Sequence, residues 1–405
     1  MMRKKLTDSF EIDIRETSLS AEVIYGFVHF ISCLFVLPVI PDQLESAGYN
    51  KKCCIEATAV ACCVGCLLSS YLTNLPFVIA PPTAVSIFLS VAIRKSAMTR
   101  SQGDTAVMLS GAALVIIGIF KPLTAFFTKF IPDCIQASTA VGIGLITALA
   151  GAIELQLVVP GKFTILEMGP VTPSIVIAIL STILIAVALH HHVKGAFISG
   201  MIVGTVSYWT YSNSWPTQWS SLPAFDLNSD FRLTTGDSAS LLTLVADLLF
   251  LYLLVLSGIA RSMSDLARLT EAEKSIPRGN WLFIVCGLTT VLSGYLSGPP
   301  ILVSPESAAG IKAGARSGLS TMVCGLCFGV SVFFGPLFSA VPPAGTTPLL
   351  ILVGMLLFVN VSRIKWAVAS EAIPAFLVLL LIPFTYRFGI SRFYFIIIDD
   401  LLLLF

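Results

Sequence analysis

Apolar runs of about 20 residues, separated by short polar turns, recur from Ala21 to the C-terminus. A helix of that length crosses a hydrocarbon core of about 30 Å. The pattern predicts an all-α integral membrane protein with about fourteen spans. The first seven lie near 21–41, 53–73, 74–94, 105–128, 131–154, 170–190 and 193–212. The second seven lie near 238–262, 280–297, 298–314, 316–342, 345–362, 366–386 and 388–405. Asp399 and Asp400 interrupt the last run, so span fourteen is expected to be short or incomplete. The chain then divides into a polar N-terminal segment (1–20), a first seven-span repeat (21–212), a polar loop (213–237) carrying Asp226, Asp230 and Asp237, and a second seven-span repeat (238–405).

An odd number of spans per half inverts the second half in the bilayer. Secondary transporters are often built this way, with the site at broken helices in corresponding positions of the two halves. The third span contains Asn74-Leu-Pro-Phe-Val-Ile-Ala-Pro-Pro-Thr83, and the tenth contains Gly298-Pro-Pro-Ile-Leu-Val-Ser-Pro-Glu306. A proline-broken segment survives at bilayer depth only where protein or a water-filled cavity satisfies the freed backbone groups. Glu306 adds an intramembrane carboxylate, which marks a functional site by default. The expectation is a pair of half-helices meeting at a central cavity, their N-termini offering partial positive charge and free N–H groups to an acceptor-rich ligand.

Composition agrees with the membrane assignment: 56% of residues are hydrophobic and 12% charged, against about 25% charged in soluble domains. The net charge of +1 and the lack of a basic patch with interleaved aromatics leave no case for a nucleic-acid partner. Met1–Ser20 has no apolar core like that of a cleavable signal peptide,. Arg3, Lys4 and Lys5, with the loop of Arg261, Arg268, Lys274 and Arg278, favour a cytoplasmic N-terminus; Lys51 and Lys52 then fall outside. The CxxC pairs Cys63/Cys66 and Cys324/Cys327 sit in apolar helical runs without further ligands, so helix packing is their expected role. His190–His192 end an apolar run, where interfacial solvation suffices. No cofactor or metal is implied, and the lack of HExxH and GxSxG motifs gives an intramembrane enzyme little support.

Four stretches resemble the nucleobase permeases of the uracil-permease fold, in particular the AzgA-type adenine/guanine/hypoxanthine branch. They are Asn74-Leu-Pro-Phe-Val-Ile-Ala-Pro81, Glu306-Ser-Ala-Ala-Gly-Ile-Lys-Ala-Gly-Ala-Arg-Ser-Gly-Leu319, Phe334-Gly-Pro-Leu-Phe-Ser-Ala-Val-Pro342 followed by Thr347–Leu356, and Glu371–Leu377 with Ile382–Tyr386. The resemblance implies a core domain of spans 1–4 and 8–11 and a gate domain of spans 5–7 and 12–14. It also implies elevator-like import of a base with a proton, and dimers in many members. Glu306 matches the tenth-span carboxylate that hydrogen-bonds the base, with Ser307 beside it.

Departures from the family pattern are as informative. Ser86 stands where an asparagine is expected, and Pro82, before Thr83, where a glycine is. The substrate-facing aspartate of the eighth span falls on Leu251, with Tyr252 beside it, and Asp247 lies one helical turn earlier on nearly the same face. Asp247 is either a partial replacement or an interhelical hydrogen-bonding residue. His29 of the first span either lines the cavity or is satisfied by neighbouring helices.

The expected function is thus proton-coupled import of a purine base across the plasma membrane, with Glu306, Ser307, Ser86, Thr83, Asp247, Tyr252 and His29 as substrate-site residues. Glu306 or Asp247 would carry the proton, because burial disfavours the charged form of a carboxyl. The alternatives are a same-fold carrier of xanthine, uracil or a small anion, and a transport-inactive relative acting as sensor or partner.

Overall fold

The architecture is that of a computed structural model, which describes residues 8, 10–124, 133–161, 166–191, 193, 195–227, 238–269 and 278–385. Expected span fourteen, Asp230, Asp237, Lys274 and His192 lie outside the described residues.

In chain order the first half contains α1 (Leu19–Cys33), α2 (Val36–Glu45), α3 (Lys51–Leu72), β1 (Ile79–Ala80), α4 (Thr83–Lys95) and α5 (Arg100–Ile119). There follow α6 (Asp133–Glu154), β2 (Val158–Pro160), β3 (Leu166–Met168), α7 (Pro173–His190) and α8 (Ala196–Ser212). The second half contains α9 (Ser238–Leu266), α10 (Gly279–Tyr295), β4 (Leu302–Val303), α11 (Ser307–Ala313), α12 (Gly318–Ser331), α13 (Gly335–Ser339), α14 (Pro343–Phe358) and α15 (Ala369–Thr385). Short 3-10 turns, Val332–Phe334 and Val359–Arg363, join α12 to α13 and extend α14.

Among the described residues eight helical stretches are long and apolar enough to cross a membrane, and Gly279–Tyr295 and Ala369–Pro383 are shorter apolar helices. Expected spans three and ten are not among the eight, because each is part strand and part helix. The first span is also interrupted, at Leu34 and Phe35. Pro38 lacks the N–H that would bond the Leu34 carbonyl four residues back, and its ring crowds that carbonyl.

The chain divides into two compact units. One comprises Met1–Phe130 and Gln218–Ser339, the other Ile131–Thr217 and Ala340–Phe405. In the first, α5 packs against α10 and α3 against α12. The α5–α10 contact is backbone-close: a Cβ on Gly111 would lie 3.0 Å from the Gly287 carbonyl, and one on Gly287 2.7 Å from the Gly111 carbonyl. Small residues permit this approach where lipid offers no hydrophobic driving force between helices. In the second unit, α6 packs against α14 and α15, with Gly144 and Gly354 meeting in the same way. The β2–β3 hairpin follows α6, pairing Val158 with Met168 and Pro160 with Leu166.

The polar loop is strapped to the first unit. The Ser221 N–H donates to the Phe333 carbonyl (3.0 Å), the Ala224 N–H donates to Glu56 Oε2 (2.6 Å), and Asp226 pairs with Arg100. The Arg100 guanidinium beside Asp226 holds its carboxyl below the usual range. Glu56 is a fully buried side chain, and its carboxylate makes the bond to Ala224 a charge-assisted one. Replacing Glu56 by Ala removes that acceptor, a bond of about 1.5–3 kcal/mol to a charged group. The expected result is cleavage by chymotrypsin near Trp219 and Phe225 that is faster by about tenfold or more, read by limited proteolysis of the purified protein.

Candidate functional site

The two broken segments meet as an antiparallel ladder of two residues each, Ile79 opposite Val303 and Ala80 opposite Leu302, all buried. The broken spans are therefore not bare half-helices: each is an extended stretch followed at once by a helix, α4 after β1 and α11 after β4. The prolines explain why. Pro76, Pro81 and Pro82 in one segment, and Pro299, Pro300 and Pro305 in the other, forbid a continuous helix,. They also remove six N–H donors that would need partners at bilayer depth.

Side chains of the neighbouring helices bond several of the remaining backbone groups. Cys66 on α3 accepts from the Ile79 N–H (3.4 Å) and donates to the Ile79 carbonyl (3.5 Å). Thr290 on α10 accepts from the Ile301 N–H (3.2 Å) and donates to its carbonyl (2.8 Å). Ser293 donates to the Pro299 carbonyl (2.6 Å), and Thr321 to that of Leu75 (2.9 Å). The segments share a spacing in sequence: Cys66 corresponds to Thr290, Ser69 to Ser293, Tyr71 to Tyr295, Pro76 to Pro300, Pro81 to Pro305 and Thr83 to Ser307. Each preceding helix ends on a left-handed non-glycine residue, Asn74 (φ 51°) and Ser297 (φ 55°), whose side chain reaches a neighbour. Asn74 Oδ1 accepts from the Gly318 N–H that begins α12 (2.9 Å), and Ser297 donates to Asp104 on α5 (2.8 Å).

Glu306 is the N-cap residue of α11 and is half-buried. Its Oε2 accepts from the Ser304 hydroxyl. Neither α4 nor α11 has a side-chain cap at its start, so their first N–H groups have no side-chain acceptor there,. Ser307 is committed to structure: its hydroxyl accepts from the Val78 N–H (2.9 Å) and donates to the Ser304 carbonyl (2.7 Å). That bond, with the Ser304 N–H on the Val78 carbonyl (2.9 Å), extends the ladder beyond its two strands.

The other expected residues are distributed around this junction. Thr83 is the first residue of α4 and Ser86 lies one turn later; both are buried, and the Ser86 hydroxyl donates back to the Pro82 carbonyl (3.2 Å). His29 on α1 is 0% exposed with neither ring nitrogen hydrogen-bonded. Its ring lies against Gly310, where an added Cβ would be 2.4 Å from Nδ1 and Cε1. Gly310 is one helical turn beyond Glu306, so His29 and the carboxylate address the same short helix. Helix α9, which carries Asp247, Leu251 and Tyr252, packs against α4, α5, α11 and β4. Within it Asp247 is half-buried, and Leu251 and Tyr252 are 0% exposed. Tyr252 turns to α5, its hydroxyl accepting from Ser110 (3.2 Å).

Sequence reasoning missed Ser304, Cys66, Thr290 and Glu22. Glu22 on α1 is buried and accepts from the Arg316 (3.0 Å) and Ser317 (3.4 Å) N–H groups at the start of α12. Arg316 itself reaches outward to Glu16 at 3.8 Å. Of these only Ser304 carried a signal, its place two residues before Glu306 in a proline-held stretch.

Comparison with known proteins gives three kinds of result. The model of a permease family, Xan_ur_permease, matches residues 20–389. Among curated proteins, guanine/hypoxanthine permease PbuO of Bacillus subtilis is 27% identical over 93% of this chain and 89% of its own length. Adenine permease AdeP of Escherichia coli is 24% identical over 93% of this chain and 85% of its own. Among solved structures, the transmembrane domain of the cyanobacterial bicarbonate transporter BicA superposes with a TM-score of 0.72 at 14% identity, covering 91% of this chain and 96% of that one. SLC26A9 gives 0.69 at 9% identity, over 98% of this chain and 69% of that one. At such identities the likeness is one of fold.

Proposed function

We infer the function from membership: the chain belongs to the Xan_ur_permease family, and it is a multi-pass membrane transporter, not an enzyme. We propose that it imports a purine base of the hypoxanthine, adenine and guanine class by proton symport. The observation that carries this reading is the place of Glu306, a half-buried carboxylate three residues beyond the β1–β4 ladder and at the start of α11. A purine edge presents N–H donors, which the acceptor lone pairs of a carboxylate complement. The relatives named for guanine/hypoxanthine and adenine support the same class.

In this reading Glu306 binds the N–H edge of the base. Either Glu306 or Asp247 takes the proton. His29, Thr83, Ser86 and Tyr252 complete the site's lining, with Ser307 holding the ladder beneath it. The first compact unit is the core domain and the second the gate, in a seven-plus-seven inverted repeat. The paired spacing of the broken segments supports that repeat. The working form is a dimer in the plasma membrane with a cytoplasmic N-terminus.

An anionic cargo of the kind named for BicA is disfavoured. A negative substrate would meet Glu306 at low dielectric, where like charges repel strongly. Leu251 is buried where the family resemblance implies the second acid, a change that alters selectivity among the bases or the proton coupling unless Asp247 replaces it.

Uptake of radiolabelled hypoxanthine, adenine, guanine, xanthine and uracil by a transporter-null cell expressing this chain tests the proposal, with and without a protonophore. Uptake of at least one purine that falls with the protonophore is expected. Failure of every base to accumulate, with the protein inserted, overturns it.

A further inference from the structure

We propose that Ser304 is the positioning residue of the site: its hydroxyl fixes the Glu306 carboxylate in the orientation that meets the ligand. This rests on the assignment of Glu306 as the ligand-binding acid, and it goes beyond that assignment in naming what holds the acid in place.

A serine in a membrane helix usually directs its proton to a carbonyl three or four residues back. Ser86 does so with Pro82, Ser257 with Leu253, and Ser138 with Ile135. Ser304 differs because it precedes Pro305, which bars the helical conformation and leaves no helical carbonyl behind it. Its proton goes to Glu306 Oε2 instead.

Three further contacts immobilise Ser304. Its N–H bonds the Val78 carbonyl at 2.9 Å, its carbonyl accepts from Ser307 at 2.7 Å, and Cys33 Sγ lies 3.9 Å from its hydroxyl. It is 1% exposed. A fixed donor thus meets a carboxylate that begins a seven-residue helix and has no other side-chain donor among the described residues. A glutamate has three rotatable bonds. Without Ser304 the carboxylate loses that donor and keeps only the contact with its own backbone N–H; it is held less firmly, and that loss appears in ligand affinity.

The test compares Ser304→Ala, Ser304→Val and Ser304→Thr with the unaltered protein in uptake of radiolabelled adenine, guanine and hypoxanthine, with thermal midpoints of the purified proteins measured alongside. Thr and Val have nearly the same shape and differ in the hydroxyl. Loss of a charge-assisted bond is expected to raise KM by about tenfold in Ala and Val at unchanged Vmax, while Thr stays within about twofold of the original. Because the Thr–Val difference reports the hydroxyl alone, the comparison survives a weakly folded Ala variant. Equal KM for Thr and Val overturns the proposal. If Glu306→Gln abolishes uptake while Thr and Val match, only the positioning role falls. If Glu306→Gln transports normally, or the unaltered chain takes up none of the bases, the assignment beneath it falls too.

Discussion

Replacing Glu306 by Gln is expected to reduce base uptake to background while leaving the amount of inserted protein and its thermal midpoint close to those of the original. Gln keeps the volume of the side chain and an oxygen that accepts the Ser304 proton, so the start of α11 retains its local bonds. What it loses is the charge. A hydrogen bond to a charged group is worth about 1.5–3 kcal/mol, which corresponds to an affinity lower by about 10- to 100-fold. Gln also cannot take up a proton, so coupled accumulation is lost even where some binding survives. Equilibrium binding and protonophore-sensitive uptake separate the two losses. Binding lowered with accumulation abolished fits an acid that does both jobs. Binding lowered with residual protonophore-sensitive uptake transfers the proton to Asp247. Normal uptake removes Glu306 from the mechanism.

Gly310→Ala is expected to do comparable damage through packing. The new Cβ would lie 2.4 Å from His29 Nδ1 and Cε1 and 2.6 Å from Cγ, separations no carbon tolerates. The fully buried ring is enclosed, so α11 must move off α1. Overpacking of this kind costs about 1–3 kcal/mol. The displaced helix carries Glu306 at its start, and a shift of about 1 Å in a positioned group can cost about 100-fold in rate. Uptake should therefore fall much further than the thermal midpoint does. The double variant His29→Ala/Gly310→Ala frees the space and should restore the midpoint. Recovery of uptake as well would make His29 a packing residue; a restored midpoint without uptake would make it a ligand.

The two breaks in the chain were legible in sequence because prolines and an acid inside apolar runs violate what lipid permits, and a violation has to be accommodated by structure. Glu306 stood out for the same reason, whereas Ser86 was singled out only because the family resemblance implies an asparagine at its position. The accommodation itself was not legible. Cys66 closes both backbone groups of Ile79 in β1 and Thr290 both of Ile301 just before β4, yet in sequence one is half of a CxxC pair and the other an unremarked helix threonine. Ser307 reads as a ligand from its place beside Glu306, although its hydroxyl is engaged by Val78 and Ser304. Pairings across such separations depend on which helices become neighbours, and hydropathy carries no record of that. The interruption at Leu34–Phe35 could have been placed from Pro38, but an apolar run of that length reads as one span.

The bond from the Val78 N–H to Ser307 joins groups 229 residues apart, which has a consequence for how the protein is made. When the third span leaves the ribosome, the partner of β1 has not been synthesised. At about 5–20 residues per second it follows roughly 10–45 s later. Through that interval the Val78 N–H and C=O groups lack their partners Ser307 and Ser304, and lipid cannot replace them. The early chain therefore has to wait in the insertion machinery, or at the bilayer surface, until the second half arrives. The fragment ending before Gly298 lacks the partner it needs to settle in a membrane.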